Sequence, residues 1–324
     1  MAKNDPIERA LNRLSELRHA EPSDTVTAEL REFLRNRSNL VVAKATVVIR
    51  ELSLVALIPD LVAAFGKFMA DAPRLDKRCA ALTAIASALY ELDYVEPQPY
   101  LAGIKHVQLE GSFGPPVDEA AKLRAVSAQG LLRTRHADRL SEVVESLVDR
   151  EPAARIGAIR ALGVNGGEAG VLLLRFKVLT GDAEPAVIAE CFSALLAASA
   201  DKSVKFVAKY IDSDDEATAA AAMLALGESR LPAAYSVLKE KWNRTLLMPV
   251  KRALLAAMAA LKLEEPIAFL ISLVESANAE TAAAAVEALC IYRHNERVSE
   301  SVRTAALTRK EKAIVEQHRD SFGS

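Results

Sequence analysis

Aromatic side chains are scarce in this sequence. They make up 5% of its 324 residues, with a single Trp. A groove that grips bases by stacking draws on more rings than that. Cysteines number three, Cys79, Cys191 and Cys290. They lie far apart with no C-x-x-C pair, which argues against a Cys-built zinc site and a disulfide framework and fits buried thiols in a reducing compartment. Gly and Pro, at 13 each, are too few for a collagen-like chain. Neither sign of charge dominates: 41 basic and 43 acidic residues leave a net −2, spread evenly along the chain. Proteins dedicated to duplex DNA or anionic membranes carry a basic excess that is missing at this scale. Apolar runs are short; the stretch 171–174 meets Arg175 at once, well below membrane-spanning length. The opening MAKNDPIERALNRLSEL has no apolar core of a secretory signal. The expectation is a soluble, cytoplasmic protein with no membrane partner.

What is present is a repeat. Ala-rich segments at 153–163, 186–196, 216–227, 249–261 and 279–290 align, each preceded by a short polar turn carrying Asp, Glu or Pro. Glu151, Glu184, Glu216 and Glu280 mark a period of about 32 residues, with Pro249 in the remaining turn. The second half of each unit repeats too. Leu140, Val143 and Leu147 are followed by Val171, Leu174 and Val178, then Val204, Val207 and Ile211, then Tyr235, Leu238 and Trp242, then Ile267, Leu270 and Val274. Spacings of three then four place each triplet on one helical face. Each unit is thus two helices, neither able to bury its apolar face without neighbours. Pro152, Pro185 and Pro249 suit first helical positions. Asp149, Asp182 and Asp214 suit capping, Ser213-x-x-Glu216 has capping-box spacing, and Gly163 and Gly227 are placed to end helices.

The expected fold is all-α: an α-solenoid of about nine stacked antiparallel helix pairs. Residues 1–324 read as one solenoid, with irregular repeats over 1–117, regular ones over 118–292, and a polar capping helix over 293–324.

DREPAARIGAIRALG (149–163) resembles the HEAT repeat, in the short form of HEAT-like proteins related to phycobilisome lyases. The matching positions are Asp149, Pro152, Arg155 and Ala161, Leu162, Gly163; two later units place Ile188 and Ala220 where that Arg would stand. The resemblance covers 118–292 well and 1–117 weakly. It implies an armadillo-like stack whose members mostly bind other proteins, with branches that handle chromophores or excise DNA bases.

Trp242 sits at a core-stripe position, which favours packing over a ligand role. His19, His106, His136, His294 and His318 are dispersed, with no H-E-x-x-H. The run Gly163 to Gly170 reads as the turn between paired helices, since a phosphate loop needs a preceding strand and a Lys. Arg133, Arg135 and Arg139 form a small basic cluster at another such turn, where a solvated surface competes with anion binding. Residues 90–116 depart most from the repeat. They hold Tyr90, Tyr94 and Tyr100 and the segment Gly111 to Pro116 around Phe113, and insertions in solenoids often carry binding. For Tyr100 and Phe113 interface and packing readings stand equal; for Tyr90 packing is favoured.

The function expected is that of a non-catalytic protein-interaction scaffold using a concave face built mostly from second helices. Its expected contact residues are Tyr94, Tyr100, His106, Phe113, Arg133, Arg135, Arg139 and Arg175. No catalytic residue, metal or cofactor is expected. The partner expected is another protein, with nucleic acid disfavoured. The alternatives are a nucleic-acid-binding, glycosylase-like protein and a chromophore- or small-molecule-handling, lyase-like one.

Overall fold

A computed structural model describes residues 6–111, 114–309 and 311–323. The chain is all-α, of the α-solenoid class, and separates into two compact units, Met1–Leu173 and Leu174–Ser324. The first carries α1 (Pro6–Leu17), α2 (Asp24–Leu34), α3 (Asn39–Glu51), α4 (Ile58–Met69), the short α5 (Ala72–Leu75), α6 (Ala80–Glu91), α7 (Gln98–Ile104), α8 (Ala121–Arg133), α9 (Arg139–Glu145) and α10 (Pro152–Asn165). The division falls inside α11 (Gly167–Thr180). The second unit continues with α12 (Pro185–Ala198), α13 (Ala200–Val207), α14 (Glu216–Glu228), α15 (Pro232–Arg244), α16 (Met248–Ala260), α17 (Glu264–Ser276), α18 (Ala279–Leu289), α19 (Glu296–Arg309) and α20 (Lys312–Phe322).

First and second helices form separate rows. In the first unit α1, α3, α6, α8 and α10 pack in succession; in the second, α12, α14, α16, α18 and α20 do the same. Small side chains make this row tight. Ala219, Ala222, Ala225, Ala257, Ala282 and Ala285 are buried on it, and a Cβ at Gly227 would lie 2.4 Å from the Ala257 carbonyl oxygen. The second helices stand further apart. In the first unit grooves of about 380 Å³ and about 300 Å³ open between α2 and α4 and between α7 and α9; in the second, one of about 920 Å³ opens between α17 and α19.

The apolar triplets are where the periodicity puts them. Their middle members Val143, Leu174, Val207, Leu238 and Leu270 are all 0% exposed. Burying one such side chain is worth roughly 1.5–3 kcal/mol, so the triplets fasten each second helix to the core. Trp242 is half-buried at the end of its stripe, edge-on to Phe269 at 6.1 Å.

Four local expectations are corrected. Asp149 and Asp182 do not cap helices: each accepts the N–H two residues on, from Glu151 at 2.8 Å and Glu184 at 2.9 Å, forming the turn before the helix. The cap of α14 is Asp215, which accepts from Thr218 N–H at 2.9 Å, rather than Asp214 or a Ser213 capping box. Gly163 and Gly227 lie inside α10 and α14 without positive φ; Gly227 is there for close packing. The charged C-terminal stretch is two helices, α19 and α20. The second packs against α18, so the last pair is covered by an extra half-unit.

Candidate binding surface

The insertion after α6 folds into a polar lock within the first unit. A two-residue antiparallel pair, β1 (Leu109–Glu110) with β2 (Val117–Asp118), closes it, the only strands among the described residues. Asp76, 0% exposed, accepts from the N–H groups of Ala81 (2.9 Å) and Leu82 (2.8 Å) and so satisfies the start of α6. Gln108 donates to the Asp76 carbonyl at 2.8 Å and to Glu110 at 2.6 Å.

Arg124, only 4% exposed, pairs bidentately with Asp149 (2.7 and 2.9 Å). It also reaches Asp118 at 2.8 Å and the His106 carbonyl at 2.9 Å. Burial opposes the Arg124 charge, but Asp149 and Asp118 outweigh it and raise its pKa. Burial likewise pushes the Asp118 carboxyl up. The N–H groups of Ala120 and Gln108, together with Arg124, more than reverse this and hold it below the usual carboxylate range. Cys79, buried beside this lock, is pushed up to about 12 by burial and then by the charges of Asp76, Glu110, Asp118 and Glu119. At neutral pH it is a thiol, without the thiolate a nucleophile needs.

The expected contact residues divide. Tyr94, Tyr100 and Arg133 come together between α6, α7 and α8. Tyr100 is 0% exposed, wedged against Gly130, and its hydroxyl donates to the Tyr94 carbonyl at 3.0 Å. Tyr100 is therefore a core residue and cannot meet a partner, which corrects its surface reading. Arg133 lies over the Tyr90 ring at 4.9 Å, donates to the Tyr90 carbonyl at 2.8 Å and pairs with Asp93. Its charge is met by Asp93. Tyr94 is half-buried. His106 is half-buried with its Nε2 3.1 Å from Gln108 Oε1. Arg139 is half-buried and donates to the His136 carbonyl at 3.1 Å, while Arg135 is exposed. Phe113 lies outside the described residues. Arg175 belongs to the second unit and joins none of these.

In that second unit a different surface emerges. Phe176 and Leu179 of α11 are 64% and 70% exposed. The helix already buries Leu174 and Val178 in its stripe, so these residues form an apolar face pointing into solvent. Next to it stands α13, tied on by Arg175. The Arg175 guanidinium lies over Phe206 at 5.1 Å and donates to the Lys202 carbonyl at 2.7 Å. Lys202, Lys205 and Lys209, on α13 and the turn that continues it, are exposed. No ion pair holds any of them or Arg175 among the described residues. At other second helices Arg31 pairs with Asp60, Lys105 with Glu142, and Lys241 with Asp212.

Sequence reasoning singles out Arg175 but neither Phe176 nor Leu179. The signal was there. The segment 171–179 holds more apolar residues than one triplet can bury.

Among the described residues no group of three His, Cys, Asp or Glu side chains is placed to hold a metal ion. Among them, too, no helix is long and apolar enough to cross a membrane.

No family model matches this chain, and no curated protein matches it. The solved structures similar to it at low identity include the following three. The CpcE–CpcF complex of phycocyanin lyase from Nostoc shares 13% identity over 78% of this chain and 94% of that one, with a TM-score of 0.37. Human deoxyhypusine hydroxylase in complex with glycerol shares 17% over 84% and 99%, at 0.32. An engineered protein shares 16% over 100% and 97%, at 0.38. The lyase and the hydroxylase are HEAT-like helical-repeat folds.

Proposed function

We propose that this protein is a non-catalytic scaffold that holds a partner protein on the row of second helices. The observation that carries the reading is the solvent-facing apolar pair Phe176 and Leu179, on a helix whose core stripe is already filled. Large apolar side chains left this exposed beside polar neighbours mark a surface completed by another macromolecule. The open spacing of the second helices supports it, because grooves between parallel helices suit an inserted peptide or helix better than an enclosed reaction site.

The test is quantitative affinity capture with wild-type protein and two sets of surface variants. Substitutions on second helices (Phe176→Ala, Ser236→Glu, Ser272→Glu) are compared with one on an exposed first-helix position, Leu224→Glu. Partners recovered by wild type and lost only with second-helix variants support the reading. Recovery insensitive to every second-helix substitution overturns it.

One observation favours nucleic acid instead, the unpaired lysines of α13. That reading requires RNA or DNA binding that weakens steeply with salt.

A further inference from the structure

We propose that Phe176 and Leu179 of α11, with Lys202, Lys205 and Lys209 beside them, form a docking site for an acidic amphipathic helix of the partner. This rests on the scaffold reading and specifies where and by what chemistry the partner binds.

Two features of the surface select the occupant. The first is shape and polarity. Phe176 and Leu179 lie three residues apart on one face of α11, at 64% and 70% exposure. Such a face is complementary to apolar residues at i, i+3, i+4 and i+7 of a partner helix laid alongside.

The second feature is charge. On the flank of that face, Lys202, Lys205 and Lys209 share the solvent side of α13 and its continuation, none in an ion pair among the described residues. Arg175, at the seam between the two helices, has a carbonyl and a ring as partners but no carboxylate. Four cations thus border one side of an apolar strip. A helix with Leu or Phe on one face and Glu or Asp along one edge satisfies both at once. Its acidic edge supplies the counter-charges, and its apolar face covers the two exposed side chains.

A nucleic acid would satisfy the lysines alone. It would leave Leu179 and Phe176 facing phosphates and solvent, whereas sequence-tolerant strand binding uses several stacking rings along a cationic groove. The observations therefore favour the acidic helix.

Fluorescence polarisation at about 150 mM salt tests this. The probes are a labelled ~18-residue peptide with Leu and Phe on one helical face and Glu flanking it, a counterpart with Lys for every Glu, and an RNA of similar length. The proteins are wild type, Phe176→Ala/Leu179→Ala, Lys205→Glu/Lys209→Glu, and Leu224→Ala as an exposed control, each checked for unchanged circular dichroism.

The expected result is binding of the Glu peptide, weakened about tenfold or more by either double variant and unchanged by the control, with the Lys peptide bound far less tightly. The proposal is overturned if wild type does not bind the Glu peptide, if the double variants bind it equally, or if the RNA binds more tightly. If affinity capture still depends on other second-helix positions, the docking assignment alone has failed and the scaffold reading stands. If capture depends on no second-helix position, the scaffold reading has failed as well.

Discussion

Arg124 shows how one side chain can fix an irregular segment. It is buried and meets two carboxylates from opposite sides, Asp118 at the end of the short strand pair and Asp149 before α10. Removing it strands both. Arg124→Ala should cost about 3–5 kcal/mol, because an uncompensated buried charge costs far more than the pair contributes; urea unfolding measures it. The pH dependence follows from Asp118, whose folded pKa is depressed. Its contribution is present above the unfolded value of about 3.9 and is lost as pH falls through the lower folded value. Unfolding curves at successively lower pH below 4 should show wild type losing more stability than Asp118→Asn. The thiols give a third expectation. Cys79 and Cys191 are 0% exposed and both pushed up to about 12, mainly by burial, while Cys290 is half-buried. A thiol reagent applied to native protein at neutral pH should modify Cys290 first and the other two only on unfolding. The Arg124 lock was not legible in sequence: Asp118 and Asp149 lie too far from it along the chain for any periodicity to pair them.

At the scale of elements, periodic features were legible and exceptional ones were not. The apolar triplets recur because each second helix must fill the same space, so spacing alone located Val143, Leu174, Val207, Leu238 and Leu270 in the core. Leu174→Asp should therefore destabilise by more than about 3 kcal/mol, through an unpaired buried charge, and an unchanged melting temperature would show the stripe wrongly phased. Sequence alone does not place Tyr100, because an insertion has no second copy to compare. Once seen wedged against Gly130, it calls for a loss of about 3–5 kcal/mol on Tyr100→Ala, with the cavity responsible; thermal and urea unfolding report it. The exposed face of α11 is the reverse case. Its periodicity was legible, but the surplus of apolar residues beyond one stripe was not recognised as a surface. Likewise the break between α19 and α20 was missed, since both helices are charged and no Gly or Pro separates them.

On the scale of the molecule, the all-α class and the alternation of helices followed from the 32-residue period, because hairpins that cannot bury themselves must stack. The proposed docking surface did not follow. It depends on which second helices turn apolar or unpaired cationic side chains to solvent, and that is set by exposure and by partners on neighbouring helices rather than by the repeat. The scaffold reading separates the two rows by role: the Ala-rich first helices hold each unit together, and the second helices meet the partner.

Hydroxyl-radical footprinting of the protein with and without its captured partner tests that division most directly. Protection should fall on exposed second-helix side chains, with Phe176 and Leu179 foremost, and leave Leu224 of α14 unchanged. Protection of Leu224 and other exposed first-helix residues, with Phe176 and Leu179 as reactive as in the free protein, would contradict it.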